Sequence, residues 1–436
     1  MLQRLNRVRQ LSFSYSHFPS ATHSRLSHCL GVAKNAEIAL GRILDRGVYY
    51  EVGQPDPKPF PNEMLADRNK LIQKAKLIGL LHDLGHGPFG HALDNYIGYS
   101  NVKRSNPDPD KLYTGQYIKE FLAPTLTTLG YDPQDLIAIL NPTERFQLQG
   151  MDALIGELVD SPLDVDRMDY LLRDAHMTGL SMGFTNGDAL LESLRPVLVD
   201  GAYTLAFDKE AMGYMEHFLY AREAMYRNCY EHPRKRAAER LFERLVREIA
   251  KDDVLRTSEE DLYALADEEI LCALRLAGST SPLRSRLLNE LLGDLDYIVV
   301  HEIGVKTTKD SAAARWAAGA AKGRTGDLKL RYIEEPAQWE ESIAASSIGT
   351  DRVEQIQVIV PPLSAYSAQK FSAARILLKR NGVYETEEFF KLAKQAERVL
   401  EEMNPPRAQI RIMCAGRLTD SEKDKVKQAA IDELDS

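Results

Sequence analysis

The segment Leu80-Leu81-His82-Asp83-Leu84-Gly85-His86-Gly87-Pro88-Phe89-Gly90-His91 constrains this chain more than any other. It sets three imidazoles and a carboxylate at the end of an apolar run. Ala75, Leu77, Ile78, Leu80, Leu81 and Leu84 predict a helix over 74–84 with almost no solvated face, so His82 and Asp83 fall where polar groups need partners. A buried carboxylate either takes up a proton or finds a cation, and an adjacent imidazole makes a divalent metal the economical partner. Gly85 and Gly87 end the helix and Pro88 stiffens the turn, letting His86 and His91 enter the same space from another angle. A lone His-Asp pair is common, and one histidine on an apolar face is usually a satisfied core residue. Two further histidines in glycine-punctuated sequence are harder to assign to packing.

One His-Asp pair supplies two donors, whereas a catalytic metal site takes three or four from the protein. Two other segments offer the rest. Phe18-Pro19-Ser20-Ala21-Thr22-His23-Ser24-Arg25-Leu26-Ser27-His28 leads into a helical run ending near Gly47, with Arg25 three residues before His28. Downstream, Asp164-Val165-Asp166-Arg167-Met168-Asp169-Tyr170-Leu171-Leu172-Arg173-Asp174 places Asp166, Tyr170 and Asp174 along one helical face. Taken alone, that face reads as solvated, and Asp164 after Pro162 reads as an N-cap.

The order His…His-Asp…Asp resembles the HD-domain metal phosphohydrolases. The blocks Gln10-Leu11, Phe18 to Val32, His82 to His91, and Asp164 to Asp174 together look like the deoxynucleoside triphosphate triphosphohydrolase branch. The resemblance runs over residues 1 to about 245 and weakens beyond. It implies a mainly α fold, with a helical HD core at 1–250 and a smaller C-terminal α+β lobe at 251–436 for oligomer contacts or regulation. It also implies that His28, His82, Asp83 and Asp166 are metal ligands. A set of two nitrogens and two oxygens suits manganese, iron or zinc rather than an all-oxygen magnesium site, although magnesium could accompany the triphosphate. The implied reaction is hydrolysis at the α-phosphorus, giving a deoxynucleoside and inorganic triphosphate, with the metal activating water. In that scheme His91 handles the proton at the 5′-oxygen, Asp94 orients it, and His86, Arg25 and Arg167 spread charge over the phosphates. Tyr170 and Asp174 meet the sugar and triphosphate, and Gln10 and Leu11 lie beneath the 3′-hydroxyl.

Arg222, Tyr226 and Tyr230 also match the family and fall at i, i+4 and i+8, so a phosphate-binding arginine and a base-stacking tyrosine could share one face. Half-buried packing is the competing reading for Tyr226. The chain departs from the pattern as well: many relatives carry a further His-Glu about eighteen residues beyond His91, whereas 110–116 read Asp-Lys-Leu-Tyr-Thr-Gly-Gln. That puts rate or substrate in doubt, with Tyr113 or Thr114 as substitutes. Asn6 stands where activator-responsive relatives show an arginine, so nucleotide-driven tetramerisation is not expected, though the resemblance implies a homo-oligomer.

A net charge of −9 argues against a general nucleic-acid coat. Arg234-Lys235-Arg236 reads as a solvated helix face, with nucleic-acid contact a minority alternative. Four dispersed cysteines without a CxxC fit a reducing cytoplasm, and no apolar run is long enough for a membrane helix. Residues 1–35 lack acids and superficially resemble a transit peptide, but cleavage would remove His28. The pattern predicts near-continuous helix to about 250, a loop at 54–61, another at 100–110, and a hairpin over 197–207 at Asp200-Gly201. Beyond 252 it predicts strands at 297–301, 328–333, 353–360 and 409–414, helices over 366–378 and 386–402, and a loop at 312–326. The alternatives to the dNTP hydrolase are a regulatory nucleotide- or nucleic-acid-binding module that keeps the fold, and a phosphohydrolase acting on ppGpp or nucleoside monophosphates. His91, Asp94, Arg25 and Arg222 favour an enzyme, because a binding module needs no acid–carboxylate pair.

Overall fold

The computed structural model describes residues 1–93, 109–141, 147–199, 201–250, 259–278, 281–293, 295–303, 336–359, 371, 373–403 and 410–435. Helices of eight residues or more within these are α1 (Arg25–Arg46), α2 (Arg68–Leu81), α3 (Pro109–Tyr117), α4 (Pro133–Leu140), α5 (Gly150–Val159), α6 (Val165–Thr178), α7 (Met212–Met225), α8 (Pro233–Ala250), α9 (Asp267–Gly278), α10 (Pro282–Leu292), α11 (Pro336–Ser347), α12 (Lys394–Met403) and α13 (Asp420–Asp435). The fold is mainly α, with two smaller sheet regions, as the sequence implies.

Capping explains where the central helices start and stop. Ser24 accepts from Ser27 N at the start of α1, and Gly47 closes it in the left-handed conformation at φ 68°. Asp164 caps α6 through the Arg167 amide at 2.7 Å, and Gly179 ends it at φ 76°. Helix α2 ends at Leu81, three residues before the apolar pattern does, because the His82 ring bonds the otherwise open Gly79 carbonyl at 2.8 Å. His82 and Asp83 therefore lie in the turn beyond the helix rather than inside it.

Strands β1 (Val48–Glu51), β2 (Lys58–Pro59), β3 (Leu194–Val199), β4 (Ala202–Asp208), β7 (Arg375–Arg380) and β8 (Val383–Glu388) form one sheet in the order β2-β1-β3-β4-β7-β8. Strands β5 (Tyr297–Ile303), β6 (Ile356–Ile359) and β9 (Ile410–Ala415) form a second sheet in the order β5-β9-β6, packed against α8, α11 and α13. The β3–β4 hairpin and strands β5 and β9 lie where the sequence predicts them, while of the strand expected at 353–360 residues 356–359 form β6 and 353–355 belong to a 3-10 helix over Thr350–Gln355. Three expectations need correction. Residues 375–380 are strand β7 rather than the end of a helix over 366–378. The predicted helix 386–402 begins as β8, takes one short turn at Phe389–Leu392, breaks at Ala393 and resumes as α12. Part of the 54–61 loop pairs as β2 with β1. The strand expected at 328–333, the loop at 312–326 and most of that at 100–110 fall outside the described residues.

One continuous apolar core joins α1, α2, α5 and α6 with α8 and both sheets. At its centre α1 packs on α2, and α6 crosses α1 over the segment that carries His28. Among the described residues no helix is long and apolar enough to cross a membrane, and the four cysteines are free thiols.

Candidate metal centre

Three elements meet at the end of α2. His28 comes from the first turns of α1, His82 and Asp83 from the turn after α2, and Asp166 from the first turn of α6. His28 Nε2 stands 3.0 Å from Asp166 Oδ1, and His82 Nε2 stands 3.6 Å from the same oxygen. One donor atom from each of these three residues lies within 4.8 Å of the other two. Asp83 lies beside this cluster, with Oδ1 3.3 Å from His82 Nε2 and Oδ2 3.9 Å from His28 Nε2. Ligands about 2.1 Å from one ion stand roughly 3.0–3.4 Å apart, a range that the His28–Asp166 contact meets and the His82–Asp166 contact slightly exceeds, so the three residues could hold a divalent cation after small shifts.

Hydrogen bonding selects the ring nitrogen that faces inward. The Gly79 carbonyl can only accept, so His82 Nδ1 carries a proton, and Nε2, a buried atom with no hydrogen-bond partner, is the nitrogen that faces inward. His28 Nδ1 is held by Asp169 Oδ2 at 2.8 Å, and Asp169 is gripped in turn by Arg173 Nε and Nη2 at 2.8 and 2.9 Å. An imidazole backed by a carboxylate or a carbonyl is the usual way a protein orients a metal-binding histidine. Gly31 allows this, since a Cβ there would lie 1.8 Å from Asp169 Oδ1.

Electrostatics point the same way. Burial pulls the His28 pKa down, but hydrogen bonds to Asp166 and Asp169 carry it up to about 10, so without a metal the ring holds a proton between the two carboxylates. Asp166 resists its burial because His28 and His82 hold its carboxyl far below the usual range, and Asp83 is lowered by His82, His86 and Arg25 against the same penalty. Asp166 is the most open of the four, with its side chain 27% exposed, and marks the mouth of the site.

The remaining candidates form two groups. Arg25 is buried and donates to Asp83 Oδ2 at 2.7 Å. His86 Nε2 lies 3.2 Å from Asp83 Oδ1, and burial and the Arg25 charge lower its pKa while Asp83 and Asp110 oppose the shift. His91 is exposed, its ring 5.1 Å from that of His86 in a T-shaped pair. Asp94 lies outside the described residues. On the far side, the rings of Tyr170, Tyr230 and Tyr226 lead away from His28, with Tyr170 6.4 Å from the His28 ring. Asp174 accepts from Tyr230 Oη at 2.9 Å and pairs with His23 Nε2 at 2.7 Å. Arg222 is buried, donates to Tyr226 Oη at 3.1 Å and lies over that ring. Tyr226–Tyr230 form a π-helical turn, so the three residues leave the simple i, i+4, i+8 face that the sequence suggests. Leu11 is buried, and the Gln10 side-chain oxygen is buried without a partner. Arg167 is turned to Ser161 O and the Asp164 carboxylate.

Sequence reasoning assigns no role to several residues that the structure brings here. Asp169, His23 and Asp110, the last 3.7 Å from His86 through Oδ2, are partners rather than ligands. Lys111 follows Asp110 on α3. Burial lowers its pKa, but Asp110 first, then Asp160, Asp83 and Asp166, raise it overall, so a positive charge faces the carboxylates. A signal for Asp169 exists in the chain, since it stands one helical turn after Asp166.

Residues 25–110 match the HD domain family model and residues 196–317 match the HD associated region. An uncharacterized protein of Mycoplasma genitalium is 30% identical over 264 residues, covering 58% of this chain and 55% of that protein. The human deoxynucleoside triphosphate triphosphohydrolase SAMHD1 is 25% identical over 251 residues, covering 53% and 38%. The chain spans about half the length of the curated relatives it matches. A crystal structure of a phosphohydrolase from Bacteroides thetaiotaomicron shares the fold with a TM-score of 0.64 at 19% identity, covering 95% of this chain and 93% of that one. The segments that carry His28, His82 and Asp83 thus lie within the residues that match the HD domain model, and the match to the HD associated region follows them in the chain.

Proposed function

We propose that this chain is a metal-dependent phosphohydrolase whose substrates are deoxynucleoside triphosphates, cleaved to deoxynucleoside and inorganic triphosphate. The observation that carries the reading is the pair of inward-facing Nε2 atoms of His28 and His82, each fixed from behind, closing on Asp166 and Asp83. A divalent ion held there supplies Lewis acidity toward a phosphoryl oxygen and acidifies water near neutral pH. Manganese, iron and zinc all suit the donor set.

The chain's own residues supply the rest. Arg25 and Lys111 place fixed positive charge beside the carboxylates, where a triphosphate needs it. Buried His86 beside Asp83 and exposed His91, in ring contact with it, are the groups that can hold or deliver a proton at the leaving 5′-oxygen. The tyrosine run from Tyr170 to Tyr226 offers faces for a sugar and base, with Arg222 behind it. The unpartnered Gln10 oxygen beside buried Leu11 is an acceptor for a sugar hydroxyl. Similarity to SAMHD1 supports a nucleotide substrate.

The test is to incubate the purified, metal-loaded protein with each dNTP, each NTP and ppGpp and to identify products by chromatography and phosphorus NMR. Deoxynucleoside plus triphosphate is the expected result. Nucleotide and metal binding without turnover would favour the regulatory module, and turnover of ppGpp alone would replace the substrate assignment.

A further inference from the structure

We infer that the buried carboxylate of Asp267, in the HD-associated region, is a positioning residue for the HD site, fixing the backbone of the turn that carries His91 and of the segment that carries Gln10. The inference rests on the reading of that site given above, since Asp267 touches neither the metal cluster nor a reacting atom.

Asp267 opens α9 and is fully buried. Its two carboxylate oxygens are spent on two different segments. Oδ1 accepts from the amide of Phe89 at 2.8 Å, and Oδ2 accepts from the amide of Arg9 at 3.0 Å. Its own amide donates to Arg7 O at 3.2 Å. Burial pushes the carboxyl up to about 6, the Phe89 and Arg9 amides opposing that rise. Arg9, Glu268 and the buried guanidinium of Arg4 are the charges that face it.

The Phe89 turn needs such a hold. Phe89 and Gly90 are consecutive left-handed residues, at φ 54° and 52°, and a phenylalanine stays there only when its surroundings over-determine it. The ring is fixed by stacking on Phe13, with centroids 4.2 Å apart, and by packing on Phe242 at 5.1 Å. The backbone is fixed by Asp267. His91 follows two residues later, so a rotation at Phe89 is passed to the imidazole. On the other arm, Arg9 pairs with Ser24 and the Gln10 amide donates to His23 O at 3.0 Å, which ties the Gln10 backbone to the residues just before Arg25.

A second buried charge repeats the connection. Arg4 donates to Leu84 O at 2.6 Å, in the turn after Asp83, and to Tyr263 O and Leu265 O at 2.9 and 3.2 Å. An acid and a base, each buried, thus join the N-terminal segment, the HD turn and residues 263–267. A purely structural need for packing would be met by apolar residues, whereas these groups fix backbone geometry on both sides of the site.

The experiment uses the full chain with Asp267→Ala and the milder Asp267→Asn, which keeps one acceptor and opposes the second amide. Metal content, kcat and KM are measured on the best nucleotide, together with hydrogen exchange by mass spectrometry. We expect metal content and KM near wild type and kcat lower by about 10²-fold, the order that a small misplacement costs. Exchange should accelerate in peptides covering 84–93 and 5–12 and stay unchanged in β9. An unaltered kcat, or exchange that accelerates equally throughout the chain, overturns the inference. An inactive wild type sinks the proposed reaction instead, and the exchange pattern still decides the role of Asp267. If neither variant folds, rapid exchange of the Phe89 and Arg9 amides in wild type overturns it.

Discussion

The proton on His28 stands where a divalent cation would. Loading the site must displace that proton, because the same Nε2 cannot serve both. Metal binding at pH 7 should release about one proton per ion from this residue, seen as a dependence of the calorimetric heat on buffer ionisation enthalpy. The His28 pKa is raised in the folded state, so its contribution to the stability of the metal-free protein is fully present below about 6.5 and fades as the pH rises through about 10. Melting temperatures of the metal-free protein should fall over that interval, and His28→Gln should flatten the trend. The partners behind the ligands matter as well. Asp169→Asn should weaken metal affinity by about 10- to 100-fold without abolishing it, whereas Asp83→Ala and His28→Ala should lose both metal and turnover. His91→Ala should keep the metal and lose most of the rate. Metal content by plasma emission and a steady-state assay separate these cases, and full turnover by metal-depleted Asp83→Ala would remove the metal from the mechanism.

Helix packing around the site leaves little slack. Gly31 lets α1 approach Asp169 and Arg173 on α6, so Gly31→Ala must push the carboxylate off His28. Overpacking of this kind costs about 1–3 kcal/mol, which urea unfolding would read, together with reduced metal affinity. Much of this level is legible in the sequence, because Ser24, Gly47, Asp164 and Gly179 announce the ends of α1 and α6 in residue types with one dominant local use. Strand β7 shows why periodicity alone misleads. Residues 366–378 have an apolar spacing that a helix also satisfies, yet Asn381-Gly382, at φ 50° and 84°, is a two-residue hairpin turn that joins β7 to β8. The candidate order His28, His82-Asp83, Asp166 is readable because histidine and aspartate set in apolar sequence serve few purposes besides holding a cation or moving a proton. Asp267 is not, because nothing near it in the chain says that its partners are Arg9 and Phe89.

At the scale of the whole molecule, distant segments complete structures begun near the N-terminus. Glu340 on α11 is fully buried and takes Arg240 Nε at 2.8 Å, Arg244 Nη1 at 2.9 Å and the Val358 amide at 3.0 Å. Glu340→Ala leaves two buried guanidinium groups short of a counter-charge and should cost about 3–5 kcal/mol by denaturant unfolding. Exchanging the whole network for apolar residues should cost far less. The larger sheet crosses the chain in the same way, with β4 receiving β7 beside it at Phe207 opposite Ile376. This fixes an order in time. Until Ile376 has left the ribosome, β4 presents an open edge to its surroundings, and at the usual pace of synthesis that interval is on the order of ten seconds. The nascent chain is therefore exposed to strand pairing with its neighbours for longer than its helices take to form, and yield in the cell should respond more steeply to chaperone supply than the purified protein's stability would suggest.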